Sequence, residues 1–185
     1  ALDQLVARHG MLRCRLTRSD ATGGWTQAIS TAAGAVIWRE NDWRGETPEA
    51  ARAAFAAAAE ELQRSLSLAE GRLVAAGYFR FAQSDRLLLV IHHWAVDGIS
   101  WRILLEELEA LYRSLVAGSA APKLPSSASF RAWSQSLGLY ARSEAMGQEA
   151  RRWDESERRL APVPAPPVLA VPEQREIVFF EAVTS

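Results

Sequence analysis

The side chains best suited to chemistry are gathered in one stretch, Ile91-His92-His93-Trp94-Ala95-Val96-Asp97-Gly98. Histidine ionises nearer neutral pH than any other side chain, so it can take up or return a proton in a reaction under cellular conditions. Adjacent histidines on an extended strand point to opposite faces, so only one of the two can face a given cleft. His92 falls on the face of Leu88 and Val90, and His93 on that of Leu89 and Ile91. Strand geometry does not say which of them faces a cleft. Blander readings stand beside this one. A single histidine at a strand end is more often a packed structural residue than a catalyst, and Asp97-Gly98 alone is a good turn pair. A metal site would need a third ligand. The chain has three histidines, so His9 is the only other one, and no familiar zinc spacing appears.

The flanking elements explain how such a stretch could be held. Arg86 to His92 reads as a strand, and Leu87-Leu88-Leu89-Val90-Ile91 is continuously apolar, the pattern of a central strand covered on both faces. A helix opens near Ser100, with a stripe of Trp101, Leu104, Leu105, Leu108, Leu111 and Leu115, and with Glu106, Glu107 and Glu109 largely outside it. The histidines therefore sit in a loop at a strand end, where a rigid scaffold positions functional groups. Upstream, Leu73 to Phe81 forms a hairpin with the 86–92 strand across Gln83-Ser84-Asp85. Thr47-Pro48 starts a helix that runs to about Ser65, with Phe55, Ala59, Leu62 and Leu66 on one stripe and alanines supplying propensity. Residues 2–9 read as a helix. Met11 to Leu16, Trp25 to Ile29 and Val36 to Arg39 read as strands, and Asp20 to Gly24 as a turn. Further helices are expected over Phe130–Tyr140 and Glu144–Trp153, after a loop at 117–127. Residues 161–172 are Pro-rich and read as a semi-rigid connector, followed by a strand at Ile177–Phe180.

Bulk properties narrow the class. A chain of 185 residues can bury roughly 70% of its unfolded surface. Lys and Arg number 21 against 22 acids, and no basic block stands out, so a nucleic-acid partner is not expected. The single cysteine, Cys14, allows no internal disulfide. No apolar run approaches the roughly 20 residues of a membrane span, and no signal peptide is visible. These features predict a soluble, cytoplasmic protein without membrane contact. Helical spacing from Leu2 onward and a strand-like final run predict a piece of a longer polypeptide.

The stretch His92-His93-x-x-x-Asp97-Gly98 resembles the HHxxxDG motif of the nonribosomal peptide synthetase condensation/epimerization superfamily. That superfamily is related to chloramphenicol acetyltransferase and to coenzyme-A-dependent acyltransferases. A second segment, Arg8-His9-Gly10-Met11-Leu12-Arg13-Cys14-Arg15-Leu16, resembles the family's RHExLRTxF, departing at Gly10, Cys14 and Leu16. The resemblance covers essentially the whole chain. It implies an α/β fold, a mixed sheet with flanking helices, equal to one lobe of a two-lobed chloramphenicol-acetyltransferase-like domain. Residues 1–160 would form the N-terminal lobe, truncated at its start, and 161–185 would lead towards the missing C-terminal lobe. It further implies that His93 projects into the reaction tunnel between the lobes as the catalytic residue, while His92 is structural. Asp97 would hold the loop by an ion pair with an arginine, Arg8 and Arg13 would have structural roles, and Gly98 would let the backbone turn tightly.

Within the superfamily, Asp97-Gly98-Ile99-Ser100-Trp101-Arg102-Ile103-Leu104-Leu105-Glu106-Glu107-Leu108 resembles the DGxSWRILLEDL form of epimerization domains. Ser129-Phe130-Arg131-Ala132-Trp133 resembles their SFKxWA segment, and Arg152-Trp153 their YW pair, although Trp101, Trp133 and Leu137 could each simply be core. An epimerization domain inverts the α-carbon of an aminoacyl or peptidyl thioester carried on the 4'-phosphopantetheine of a neighbouring carrier domain. It binds no cofactor or metal itself. A glutamate from the C-terminal lobe would partner His93, so the fragment alone is expected to be inactive. The alternatives are a condensation domain joining two carrier-bound substrates and a catalytically silent carrier-docking module.

Overall fold

The structure, a computed structural model, describes residues 1–19, 23–31 and 36–160. The Pro-rich connector and the strand expected at 177–180 lie outside the described residues. Those described fall into two compact units, residues 1–125 and 126–160.

The first unit is built on strand β4 (Val74–Arg80), which pairs in parallel with β3 (Ile37–Asp42) and antiparallel with β5 (Asp85–Ile91). Parallel neighbours need a crossover, and helix α2 (Pro48–Arg64) supplies it between β3 and β4. Thr47 caps α2, its side chain accepting from the Ala50 N–H, and Pro48 occupies the first turn, where no backbone donor is required. The buried side chains of α2 are Ala51, Ala58, Ala59 and Leu62. The alanines are thus the contact surface itself and not only a source of helix propensity. They match the small residues of β4, because a helix approaches a sheet closely where both sides lack bulk. Ala75, Phe79 and Leu88 complete this core with Ala58, Ala59 and Leu62. Phe79 stacks on Trp43 with ring centroids 5.1 Å apart and meets Phe55 edge-on at 5.2 Å.

The opposite face of the sheet carries a second core of Leu5, Val6, Leu12, Val74, Val96, Leu104, Leu108 and Leu111. It joins α1 (Leu2–Arg8) to α3 (Gly98–Val116). Leu89 and Ile91 pack into this core, whereas Leu88 and Val90 pack into the other. The apolar run of β5 is therefore met on both faces from residue 88 onward. Its place in the sheet differs from the expectation, however. Among the described strands β5 is an edge, and the central strand is β4, whose small side chains leave room for close packing.

Two further expectations are corrected. Met11 to Leu16 is not one strand: Gly10–Arg13 forms a 3₁₀ turn, and β1 begins only at Cys14 and runs to Arg18, paired antiparallel with β2 (Trp25–Ile29). Leu12 is buried in the core joining α1 and α3, and the tight turn brings it there from the end of α1. The second correction concerns α3, where Glu107 lies inside the buried stripe with Leu104, Leu108 and Leu111, while Leu115 is half exposed.

The second unit holds α4 (Phe130–Ala141) and α5 (Glu144–Arg159), capped by Ser129 and Ser143. Neither helix has a fully buried residue, so Trp133 and Leu137 are not core residues here.

The close approach of α2 to β4 generates a prediction. A Cβ added at Gly77 would stand 3.0 Å from Leu62 Cδ1 and closer still to the Phe79 ring. Gly77→Ala should therefore destabilise the domain by about 1–3 kcal/mol through overpacking. Urea unfolding monitored by tryptophan fluorescence would measure this, and an unchanged midpoint would contradict the packing described.

Candidate active site at the end of strand β5

Strand β5 ends at Ile91, and residues 93–95 form a turn before α3 begins at Gly98. The two histidines thus lie just past the strand, and turn geometry, not strand alternation, decides their roles. The His92 backbone N–H donates to the Leu73 carbonyl at 2.9 Å, and its own carbonyl accepts from Ala95 N–H at 2.9 Å. Its ring closes the same turn, Nδ1 accepting the Trp94 N–H at 3.1 Å. An Nδ1 that accepts carries no proton, so the neutral ring bears its hydrogen on Nε2. Burial pushes the His92 pKa down, and the neighbouring His93 pushes it in the same direction. His93 occupies the next position and is exposed. Of the pair, His92 is engaged by the scaffold and His93 is exposed.

Asp97 closes the loop on its other side. Its Oδ1 accepts from the Ser100 N–H at 2.7 Å and from the Ser100 hydroxyl at 2.6 Å, the standard arrangement of a helix N-cap. These hydrogen bonds hold its carboxyl below the usual carboxylate range. Among the described residues the side-chain partner of Asp97 is Ser100, at the start of the helix it caps. Gly98 is likewise not strained: it is the first residue of α3, its φ is not positive, and a Cβ there would meet open space. What its missing side chain leaves is room, at one end of an open groove of about 310 Å³ along Trp101, Arg102, Leu105 and Glu106.

The two arginines hold other parts of the first unit. Arg13 caps the end of α1, Nε donating to the Val6 carbonyl at 3.1 Å and Nη2 to that of Ala7 at 3.2 Å. Arg8 donates through Nε to Glu107 Oε2 at 2.9 Å, and also hydrogen-bonds the Pro125 carbonyl. His9 Nε2 reaches the same Glu107 oxygen at 2.7 Å. The structure thus gathers His92, His93, Asp97 and Gly98 at one junction and ties Arg8 to α3, not to Asp97. Among the described residues no three His, Cys, Asp or Glu side chains gather as metal ligands.

Sequence reasoning missed Glu107, the partner role of His9, and Trp94. Glu107 was legible: it stands three residues after Leu104 and four before Leu111, which puts it on the stripe itself. Trp94 was not legible. Its side chain lies near the thiol of Cys14, which is fully buried; burial pushes the thiol pKa up, and Trp94 opposes that push. That contact links the histidine turn to the start of β1, far away in sequence.

The chain belongs to the Condensation domain family, whose model matches residues 1–178. It is 38% identical over 178 residues to a linear gramicidin synthase from Brevibacillus parabrevis, a match that spans 95% of this chain but only 2% of that relative. A solved epimerization domain, from the third module of tyrocidine synthetase B, superposes with a TM-score of 0.79 at 28% identity, over 89% of this chain and 37% of that one. A condensation domain that mediates chain release from the enacyloxin polyketide synthase superposes with a TM-score of 0.64 at 30% identity, over 86% of this chain and 30% of that one. This is a condensation-family domain of the nonribosomal peptide synthetase type. Its α/β architecture is one lobe of the two-lobed, chloramphenicol-acetyltransferase-like fold. No described helix is long and apolar enough to cross a membrane.

Two groups of the site tie stability to pH. His92 binds protons less readily folded than unfolded, so its contribution to stability is complete above about pH 6.5, the unfolded value. As pH falls through the lower folded value, the stability is lost and the turn should loosen. Followed from about pH 7.5 to about pH 5, the Trp94 amide should lose protection relative to its intrinsic exchange rate, which itself falls on acidification, and His92→Gln should remove that loss.

Asp97 behaves in the same sense at lower pH. Its contribution is present above about pH 4 and fades as pH falls through the depressed folded value. Asp97→Asn keeps an acceptor for the cap and should flatten the acid limb of the stability profile, whereas Asp97→Ala should lower stability across the whole range. Equal profiles for the two variants would show that the cap is not the role of Asp97.

Proposed function

We propose that this chain is the N-terminal lobe of an epimerization domain. Such a domain converts an L-aminoacyl or L-peptidyl thioester, carried on the 4'-phosphopantetheine of a carrier domain, to its D form. The observation that carries the reading is the division of labour at the end of β5. His92 and Asp97 are both spent on the backbone, which leaves His93 exposed on a turn fixed from both sides. A thioester acidifies the α-carbon, and a histidine positioned beside it can take that proton. The electron pair passes into the thioester carbonyl as an enolate, and a proton delivered on the opposite face restores the carbon with inverted configuration. The second proton carrier is proposed to be a glutamate of the C-terminal lobe, and the domain needs no bound metal or cofactor of its own.

Epimerization is preferred over condensation because of the segment from Asp97 to Leu108, supported by Phe130-Arg131-Ala132-Trp133 and Arg152-Trp153. The higher TM-score against the epimerization domain, 0.79 against 0.64, points the same way. The identity values do not, at 28% against 30%. Condensation therefore stands as the second reading, with His93 assisting attack of an acceptor amine on a donor thioester.

The test uses the complete domain and a carrier loaded with an L-aminoacyl or L-peptidyl thioester in deuterated water. Deuterium should enter the α-carbon, with a mixture of D and L products. His93→Ala should lower that exchange by about 10²–10⁴-fold, the usual weight of a general acid–base group. Amide formation with an added acceptor carrier, and no exchange, would move the reading to condensation. A folded domain active in neither assay would point to a silent docking module.

A further inference from the structure

We propose that Glu107 is a positioning residue for His93, an inference that rests on His93 being the group that turns substrate over. Glu107 is the one polar or charged residue among those described that is buried, at 8% relative exposure, and it lies on the helix that Asp97 caps. One of its oxygens, Oε2, receives two donors, Arg8 Nε at 2.9 Å and His9 Nε2 at 2.7 Å. Both donors come from adjacent residues at the end of α1, so the carboxylate fixes α3 against α1 in rotation and in height. Leu104, Leu108 and Leu111 share a core with Leu5 and Val6, but apolar attraction is itself non-directional. Directional, charge-assisted hydrogen bonds cannot slide.

The same cluster grips the histidine turn by two routes. Along α3, the position of the helix sets Asp97 at its cap and Val96 in the core, adjacent residues that anchor the C-terminal side of the segment carrying His93. Along the other route, His9 is the residue from which the 3₁₀ turn starts, and that turn delivers Cys14, whose thiol meets the Trp94 side chain next to His93. A shift at Glu107 therefore moves both supports of the turn. Placement errors of about 1 Å at a reacting group can cost about a hundredfold in rate.

The experiment compares two variants of the complete domain. Glu107→Gln keeps the shape and removes the charge. The triple variant Arg8→Met, His9→Leu, Glu107→Met replaces the whole cluster with apolar side chains of similar size, which relieves the buried charge while abolishing directionality. For Glu107→Gln, His93-dependent turnover should fall about tenfold or more in kcat, with KM for the loaded carrier unchanged, and amide exchange over residues 92–98 should rise. The triple variant should melt at or above the temperature of Glu107→Gln yet remain as slow. Wild-type kcat in a folded triple variant would overturn the proposal by reducing Glu107 to a packing role. Unchanged exchange over 92–98 in Glu107→Gln would overturn it as well. Should the wild-type domain turn over in neither assay, the functional reading fails, and the exchange measurement still decides the coupling.

Discussion

A carboxylate cannot be taken out of water without partners, and this requirement organises the first unit. Glu107 sits on the buried stripe of α3, where an apolar residue would meet no penalty. Removing a single partner from such a buried cluster typically costs about 3–5 kcal/mol, because a charge is left desolvated. The end of α1 is thus constrained to deliver Arg8 and His9 to one point, and the chain must turn tightly afterwards to enter β1. The short 3₁₀ turn that follows is a consequence of that delivery, and so is the burial of Cys14 at the first position of β1.

The sheet answers a different constraint. Its central strand opens with small side chains, Val74-Ala75-Ala76-Gly77, and Ala75 packs with the alanines of α2 on one face. On the other face the leucines of α1 and α3 fill the larger gap. The histidine turn leaves the sheet from β5, next to that central strand, and His92 remains hydrogen-bonded to Leu73 just before β4. Rigid support on both sides lets a side chain project from a turn without wandering, as the proposed role of His93 requires.

The site then emerges as a division of roles between residues that look alike in the sequence. His92 and His93 are adjacent and chemically identical, yet one ring accepts a backbone N–H and the other is exposed. Asp97 looks like a catalytic carboxylate by type, but both of its hydrogen bonds go to Ser100 at the start of α3. His93 is left exposed while His92 and Asp97 are engaged in holding the turn that carries it.

Much of this was legible in the sequence. Periodicity placed α2, α3 and the β4–β5 hairpin, because a stripe at helical spacing and an apolar run between turn residues are local patterns. Thr47-Pro48 announced the start of α2 for the same reason, since a cap involves only neighbours in the chain. The motif from His92 to Gly98, with the Arg8 segment, also marked the family, because residue types and order survive without coordinates. Tertiary structure alone decided the rest. Which strand is central, why Met11 belongs to a turn and not a strand, and that Asp97 caps α3 all depend on partners distant in sequence or on local backbone geometry. The pairing of Arg8 and His9 with Glu107 joins residues 99 and 98 positions apart, and the contact of Cys14 with Trp94 spans a similar distance. No local pattern encodes such contacts, since they form only when separate elements are packed around a shared core.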